Sequence, residues 1–176
     1  WESAIAMLTG SNGAAAADPR GRTLRPHQAS GLASWRANCR MGILAFATGS
    51  GKTFTAIAAI REALVQHKNV VLVVVPDQVL FAQWFAELRE TLGDLDVKFL
   101  RAGAGHGAWR DALTLWTAAG DQRRVVLATV QTASTLEFQS HLRGAGPHLF
   151  LVAYEFHRLG SPKHRALLNE VLFGAR

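Results

Sequence analysis

Cysteine is nearly absent: Cys39 is the only one in 176 residues. A lone thiol closes no intrachain disulfide and builds no cysteine-ligated metal site. That usage fits a reducing cytoplasm, with Cys39 expected as a small core residue near a helix end. Long apolar runs are missing too. A run such as Val70 to Val75 falls far short of the ~20 residues that span a bilayer, so no membrane partner is expected. No basic-then-apolar leader opens the chain, and a start at Trp1 reads as a fragment of something longer. Acidic residues are scarce, 13 against 19 lysines and arginines, for a net charge of +6. That excess suits a polyanion, meaning nucleic acid or nucleotide. Apolar residues at 49% and charged residues at 18% exclude a disordered chain. The length allows one domain with a full core.

What is present begins with Ala47-Thr48-Gly49-Ser50-Gly51-Lys52-Thr53. An apolar run, Gly42 to Phe46, precedes it, and a helical pattern from Lys52 to Gln66 follows. Strand, glycine turn, Gly-Lys-Thr and helix make a physical recipe for holding a nucleoside triphosphate. Glycines let consecutive backbone N–H groups face phosphate oxygens, and a helix N-terminus adds about half a positive charge. Lys52 would reach the outer phosphates, and the Thr53 hydroxyl would face Mg²⁺. The strict pattern asks for glycine where Phe46 stands; the shorter A-x-x-G-x-G-K-T fits throughout.

The rest of the chain alternates. Trp1 to Leu8 has mild helical character, and a Gly, Ala, Asp-Pro stretch to Arg22 reads as a linker. Helices are expected over His27 to Arg40, Lys52 to Gln66, Gln78 to Leu92, Trp109 to Ala119, Gln131 to Leu142 and Lys163 to Phe173. Apolar strands are expected over Gly42 to Phe46, Val70 to Val75, Val97 to Leu100, Arg124 to Thr129 and Leu149 to Ala153. Five strands alternating with helices imply an α/β domain whose mainly parallel sheet carries helices on both faces. Ligands bind such sheets at the carboxyl ends of the strands. Thr48 to Thr53, Pro76 to Gln78, Thr129 to Thr132 and Tyr154 to His157 all follow strand ends.

These rim segments resemble the first RecA-like domain of a superfamily-two DEAD/DEAH-type helicase or translocase. The resemblance covers Leu24 to Phe173, so 23–176 is expected as that domain; residues 1–22 are expected as a helix and linker, either the tail of a preceding domain or a helix packing on this one. Leu24-Arg25-Pro26-His27-Gln28 resembles the adenine-reading motif, in which the Gln28 amide would both donate to and accept from the base edge; Arg25 is a second candidate for that pocket. Pro76, Asp77 and Gln78 are similar to motif Ia. Thr129, Gln131 and Thr132 are similar to a T-x-Q-T element. Both would touch the nucleic-acid backbone, through contacts that carry no sequence information. Trp84 is expected in the core.

Tyr154-Glu155-Phe156-His157 falls where the family has an Asp-Glu-Ala-His box. Glu155 keeps the general-base role and would face the metal with Thr53, and His157 would couple the motif to others across the cleft. Tyr154 departs from the pattern, because a phenol is a poor ligand for Mg²⁺. Phe156 replaces a small residue at a crowded position. The resemblance implies ATP and Mg²⁺ as cofactors, with phosphates on Thr48, Gly49, Ser50, Gly51, Lys52 and Thr53. It implies nucleic acid, DNA rather than RNA, and a second RecA-like domain as partners. Two readings stay open: a nucleic-acid-stimulated ATPase module, or a module that binds nucleotide without hydrolysing it.

Overall fold

The structure is a computed structural model that describes residues 21–66, 70–142, 145 and 148–155, together with the backbone of Ser3–Leu8. The expected helix over Lys163 to Phe173 lies outside the described residues. The elements run β1 Ser3–Leu8, α1 Pro26–Ala37, β2 Met41–Phe46, α2 Lys52–Gln66, β3 Val70–Val75 and α3 Gln78–Thr91. They continue with β4 Val97–Ala102, α4 Trp109–Thr117, β5 Arg123–Thr129, α5 Val130–Ala133, α6 Leu136–Leu142 and β6 Leu149–Tyr154.

One sheet has the order β2-β1-β6-β3-β5-β4. β3 pairs in parallel with β5 and with β6, and β4 pairs in parallel with β5. β1 runs antiparallel to both β2 and β6, so β2 shares the common direction. All five expected strands are therefore codirectional.

The sixth strand corrects the helical expectation for Trp1 to Leu8. Ala4 to Leu8 is a continuous apolar run. Inserted between β2 and β6, it satisfies ladder hydrogen bonds on both edges, which outweighs weak helical propensity. β1 thus belongs to this sheet.

Period-two alternation sorts the core. Leu44, Val71, Val73, Val75, Phe150 and Val152 face one way, against apolar residues of α1, α2 and α3. Val70, Leu72, Val74, Val126 and Leu151 face the other way, against α4, α5 and α6. β3 is buried at every position, as a central parallel strand must be. Coverage is incomplete at β2, where Met41 and Ile43 are exposed.

Several helices are shorter than their sequence patterns suggest, α4 ending at Thr117. The pattern over Gln131 to Leu142 breaks into α5 and α6. The Thr135 hydroxyl donates to Thr132 O at 2.8 Å and accepts from Phe138 N at 3.2 Å, which ends one helix and starts the next. α1 stops at Ala37, and Cys39 and Arg40 follow with φ of 54° and 56°. Cys39 is exposed, which corrects its assignment to the core: the left-handed turn points it outward.

That turn is held electrostatically. The Arg40 guanidinium donates to Glu62 Oε1 at 3.1 Å, and Arg36 donates to Glu62 Oε2 at 2.8 Å. Glu62 is fully buried and Arg40 nearly so. Removing the carboxylate would strand a buried cation, a change that costs about 3–5 kcal/mol. We expect Glu62→Ala to lower unfolding free energy by about that amount in a urea titration; an unchanged midpoint would contradict the buried triad.

A second ion pair is pH-sensitive. Arg61 forms a bidentate contact with Asp94. The hydrogen bond from Arg61 holds the Asp94 carboxyl below its ordinary value of 3.8, against a smaller opposing effect of burial. A depressed folded-state value means stability that is present above the unfolded value and lost as pH falls through the folded one. Asp94→Asn should therefore be less stable than the parent near neutral pH, with the difference closing in strong acid. Urea midpoints across pH would show a constant difference if the pair contributes nothing.

Candidate nucleotide site

β2 ends at Phe46 on the rim where all five codirectional strands end, and α2 starts six residues later at Lys52. The turn between them needs glycine at two places. Gly49 and Gly51 have φ of 79° and 85°, and a Cβ on Gly51 would run into the Gln28 amide nitrogen. Thr48 and Gly49 are exposed, and Ser50 is half-buried with its hydroxyl lacking a partner among the described residues.

Three side chains brace this loop: Gln28, Lys52 and His27, whose Nε2 bonds Ser50 O at 3.1 Å. Gln28 is buried, and its amide nitrogen donates to Ser50 O at 2.9 Å and Gly51 O at 3.2 Å. Its oxygen accepts from Arg25 N at 2.8 Å. The amide expected to read adenine is here committed to the loop backbone, so contact with a base requires exchange of these bonds. Arg25 caps α1 through its backbone, and its side chain is exposed. The Lys52 ammonium is also buried and donates to Phe46 O and Ala47 O, each at 3.0 Å. A phosphate entering the loop competes with these two carbonyls for the same donor.

Register brings distant segments to the loop. Val74 stands opposite Ala153 and Val75 opposite Thr129, so β6, β3 and β5 release their next residues side by side. Tyr154, Gly51 and Thr53 line one cleft of about 520 Å³ between α2 and α3. Arg22, Phe54 and Trp84 also line it. The Trp84 ring meets Tyr154 edge-on at a centroid separation of 5.2 Å. Trp84 is 1% exposed, in the core as expected, and its indole N–H finds no partner among the described residues. Glu155 follows in a left-handed conformation, φ 55°, and is half-buried. Phe156 and His157 lie outside the described residues.

The segments similar to nucleic-acid motifs form a separate group. The Asp77 carboxylate accepts from Leu80 N at 2.9 Å and so caps α3. Pro76 is half-buried and Gln78 exposed. Thr129 caps α5, and its hydroxyl donates to Thr132 Oγ1 at 3.1 Å. Gly103 packs so closely on these two hydroxyls that a Cβ there would collide with both. Gln131 is exposed.

Sequence reasoning did not single out Arg22. Its guanidinium lies 4.3 Å from the Phe54 ring centroid and bonds Thr91 at 3.0 Å and Glu87 at 3.4 Å. No motif marks it. The contact arises where the chain ahead of α1 passes over α2 and α3.

Magnesium prefers hard, usually anionic oxygen, and a phosphate-loop ion is held through a hydroxyl and a carboxylate beside the phosphates. Thr53 offers the hydroxyl. Where β6 meets the cleft, Tyr154 offers a phenol against an indole instead of a carboxylate. Among the described residues no group of three or more His, Cys, Asp or Glu could hold a metal ion. Thr53, with the Glu155 carboxylate that directly follows Tyr154, would hold the ion beside the phosphates.

A mainly parallel α/β sheet with a Gly-Lys-Thr loop between its first codirectional strand and a helix defines a nucleotide-binding domain of the phosphate-loop type. Residues 22–172 match the family model described as type III restriction enzyme, res subunit, and the chain belongs to that family. No curated protein and no solved structure matches the chain. Among the described residues no helix is long and apolar enough to cross a membrane.

The loop assignment has a direct test. Lys52→Ala removes the ammonium that bonds the loop carbonyls and should weaken binding of a fluorescent ATP analogue by about tenfold or more. Unchanged affinity would sink the assignment of residues 47–53 as a phosphate site.

Proposed function

We propose that this chain is the ATP-binding half of a DNA-dependent translocase whose hydrolysis is impaired at Tyr154. Nucleotide phosphates sit on Thr48, Gly49, Ser50, Gly51, Lys52 and Thr53, with Gln28 and Arg25 toward the base. Pro76, Asp77, Gln78, Thr129, Gln131 and Thr132 lie along the nucleic-acid backbone. Glu155 orients the attacking water, and His157 couples the site to a second RecA-like domain. That domain supplies the arginine that neutralises transition-state charge, a contribution of about 10³–10⁵ in rate.

The observation that carries this reading is the shared cleft of Gly51, Thr53 and Tyr154. It puts the end of β6 against the start of the phosphate-loop helix, where the family resembled has an aspartate. The net charge of +6 favours a nucleic-acid partner. A second reading, a module that binds nucleotide without turnover, is favoured by the packing of Tyr154 on buried Trp84. That packing leaves no charged oxygen at the position.

Tyr154→Asp in the intact protein decides between them. For an impaired motor, DNA-stimulated ATP turnover should rise by about tenfold or more. Equal turnover in parent and variant would show that Tyr154 is no obstacle to hydrolysis. Greater stimulation by RNA than by DNA would reject the DNA assignment.

A further inference from the structure

Helix α3 has two chemically distinct faces. Gln83, Glu87 and Glu90 line the cleft it shares with α2. Phe81, Phe85 and Arg89, spaced by four, form a stripe on another face. That stripe meets β4 and the turn that follows it. The Phe81 ring stacks on the His106 imidazole at a centroid separation of 6.0 Å, and the Phe85 ring meets Phe99 of β4 edge-on at 5.8 Å. Phe85 and Phe99 are half-buried and pack on the margin of the core.

Two guanidinium groups converge on the Phe85 ring. Arg101 lies 4.7 Å from its centroid and Arg89 lies 5.8 Å from it. Both arginines are exposed. Neither pairs with a carboxylate among the described residues. The acidic groups near them in the chain are engaged elsewhere: Asp94 by Arg61, Asp96 by Lys98 and Glu87 by Arg22. An aromatic ring attracts a cation, but two cations brought to one ring repel each other. A phosphate within reach of both forks turns that repulsion into charge-assisted hydrogen bonds. Arginine beside a half-buried ring also suits the unpaired bases of a single strand. The patch is open, because β4 is an edge strand of the sheet. It is also continuous with the rim. Arg101 stands two residues before Gly103, which packs against the Thr129 and Thr132 hydroxyls.

We propose that Arg89 and Arg101, held at Phe85, bind the phosphate backbone of single-stranded DNA that continues past Thr129 and Thr132. The proposal rests on the nucleic-acid reading of those rim residues and extends their track down the outer face of α3 and β4. Contacts of this kind fix the path of the strand and are indifferent to its sequence.

The test is anisotropy of a fluorescein-labelled oligothymidylate titrated with the intact chain across a range of salt concentrations. Replacing both arginines, Arg89→Gln with Arg101→Gln, should weaken binding by about tenfold. The slope of log affinity against log salt should become shallower by about 1.4, the value for two phosphate contacts on a single strand. Lys98→Gln is the control, since that exposed lysine is paired with Asp96; its affinity should stay within about twofold of the parent. Equal weakening by Lys98→Gln and by either single arginine variant would show an effect of net charge and overturn the patch. Parent-like affinity and slope in the double variant would overturn it too, and would leave the rim reading standing. A parent that binds no oligothymidylate would overturn the rim reading, and this proposal with it. Displacement of the oligonucleotide by polyglutamate at equal charge concentration would assign the patch to an acidic protein instead. Chemical protection in the parent decides the matter even if a variant does not fold. Bound oligothymidylate should shield Arg89 and Arg101 from phenylglyoxal, read by mass spectrometry, and labelling unchanged by DNA would refute the contact.

Discussion

A parallel sheet covered on both faces leaves polar side chains nowhere to go except the ends of its strands. β3 is apolar and buried along its whole length, and β5 and β6 are nearly so. The chemistry therefore collects on one rim, because every codirectional strand ends there. The phosphate loop, Tyr154 and the Thr129–Thr132 cluster owe their proximity to this arrangement and to the register of β3 with its two neighbours.

The strand that carries the loop depends on one further contact. Among the described residues β2 joins the sheet only through β1, the single antiparallel member. Behind it, Glu62 ties the turn before β2 to α2 through Arg36 and Arg40. In front, Gln28 ties α1 to the loop backbone. The glycine loop is thus fixed from three sides, and glycine is required where Gln28 approaches. The same bracing explains why the Gln28 amide and the Lys52 ammonium both bond to loop carbonyls: each buried donor takes the nearest acceptor.

Tyr154 changes the character of the site more than its position. The phenol occupies the strand end that faces Thr53, so the geometry of a nucleotide cleft is kept. Its contact with Trp84 replaces charge with an aromatic pair, which packs well and donates hydrogen bonds but offers a cation little. On the proposed reading, binding and turnover draw on different residues of the same rim.

Much of this was legible in the chain itself. Continuous apolar runs bounded by turns placed five strands, and the Gly-Lys-Thr tract between a strand and a helix placed the loop, because local spacing sets both. The exact extent of α2 followed from its period. The sequence alone did not disclose that Ser3–Leu8 is a strand, since its pairing partners lie more than thirty residues away at Met41–Phe46 and beyond a hundred at β6. Nor did it disclose Arg22 over Phe54, the commitment of Gln28 to the loop, or the meeting of Trp84 with Tyr154. Those are contacts between elements, and only packing decides which side chains share a wall. Composition and local pattern determined that the chain folds as a nucleotide-type α/β domain. Tertiary structure decided which donors surround the loop, because hydrogen bonds and ring contacts across a cleft depend on distances that no spacing in the chain encodes.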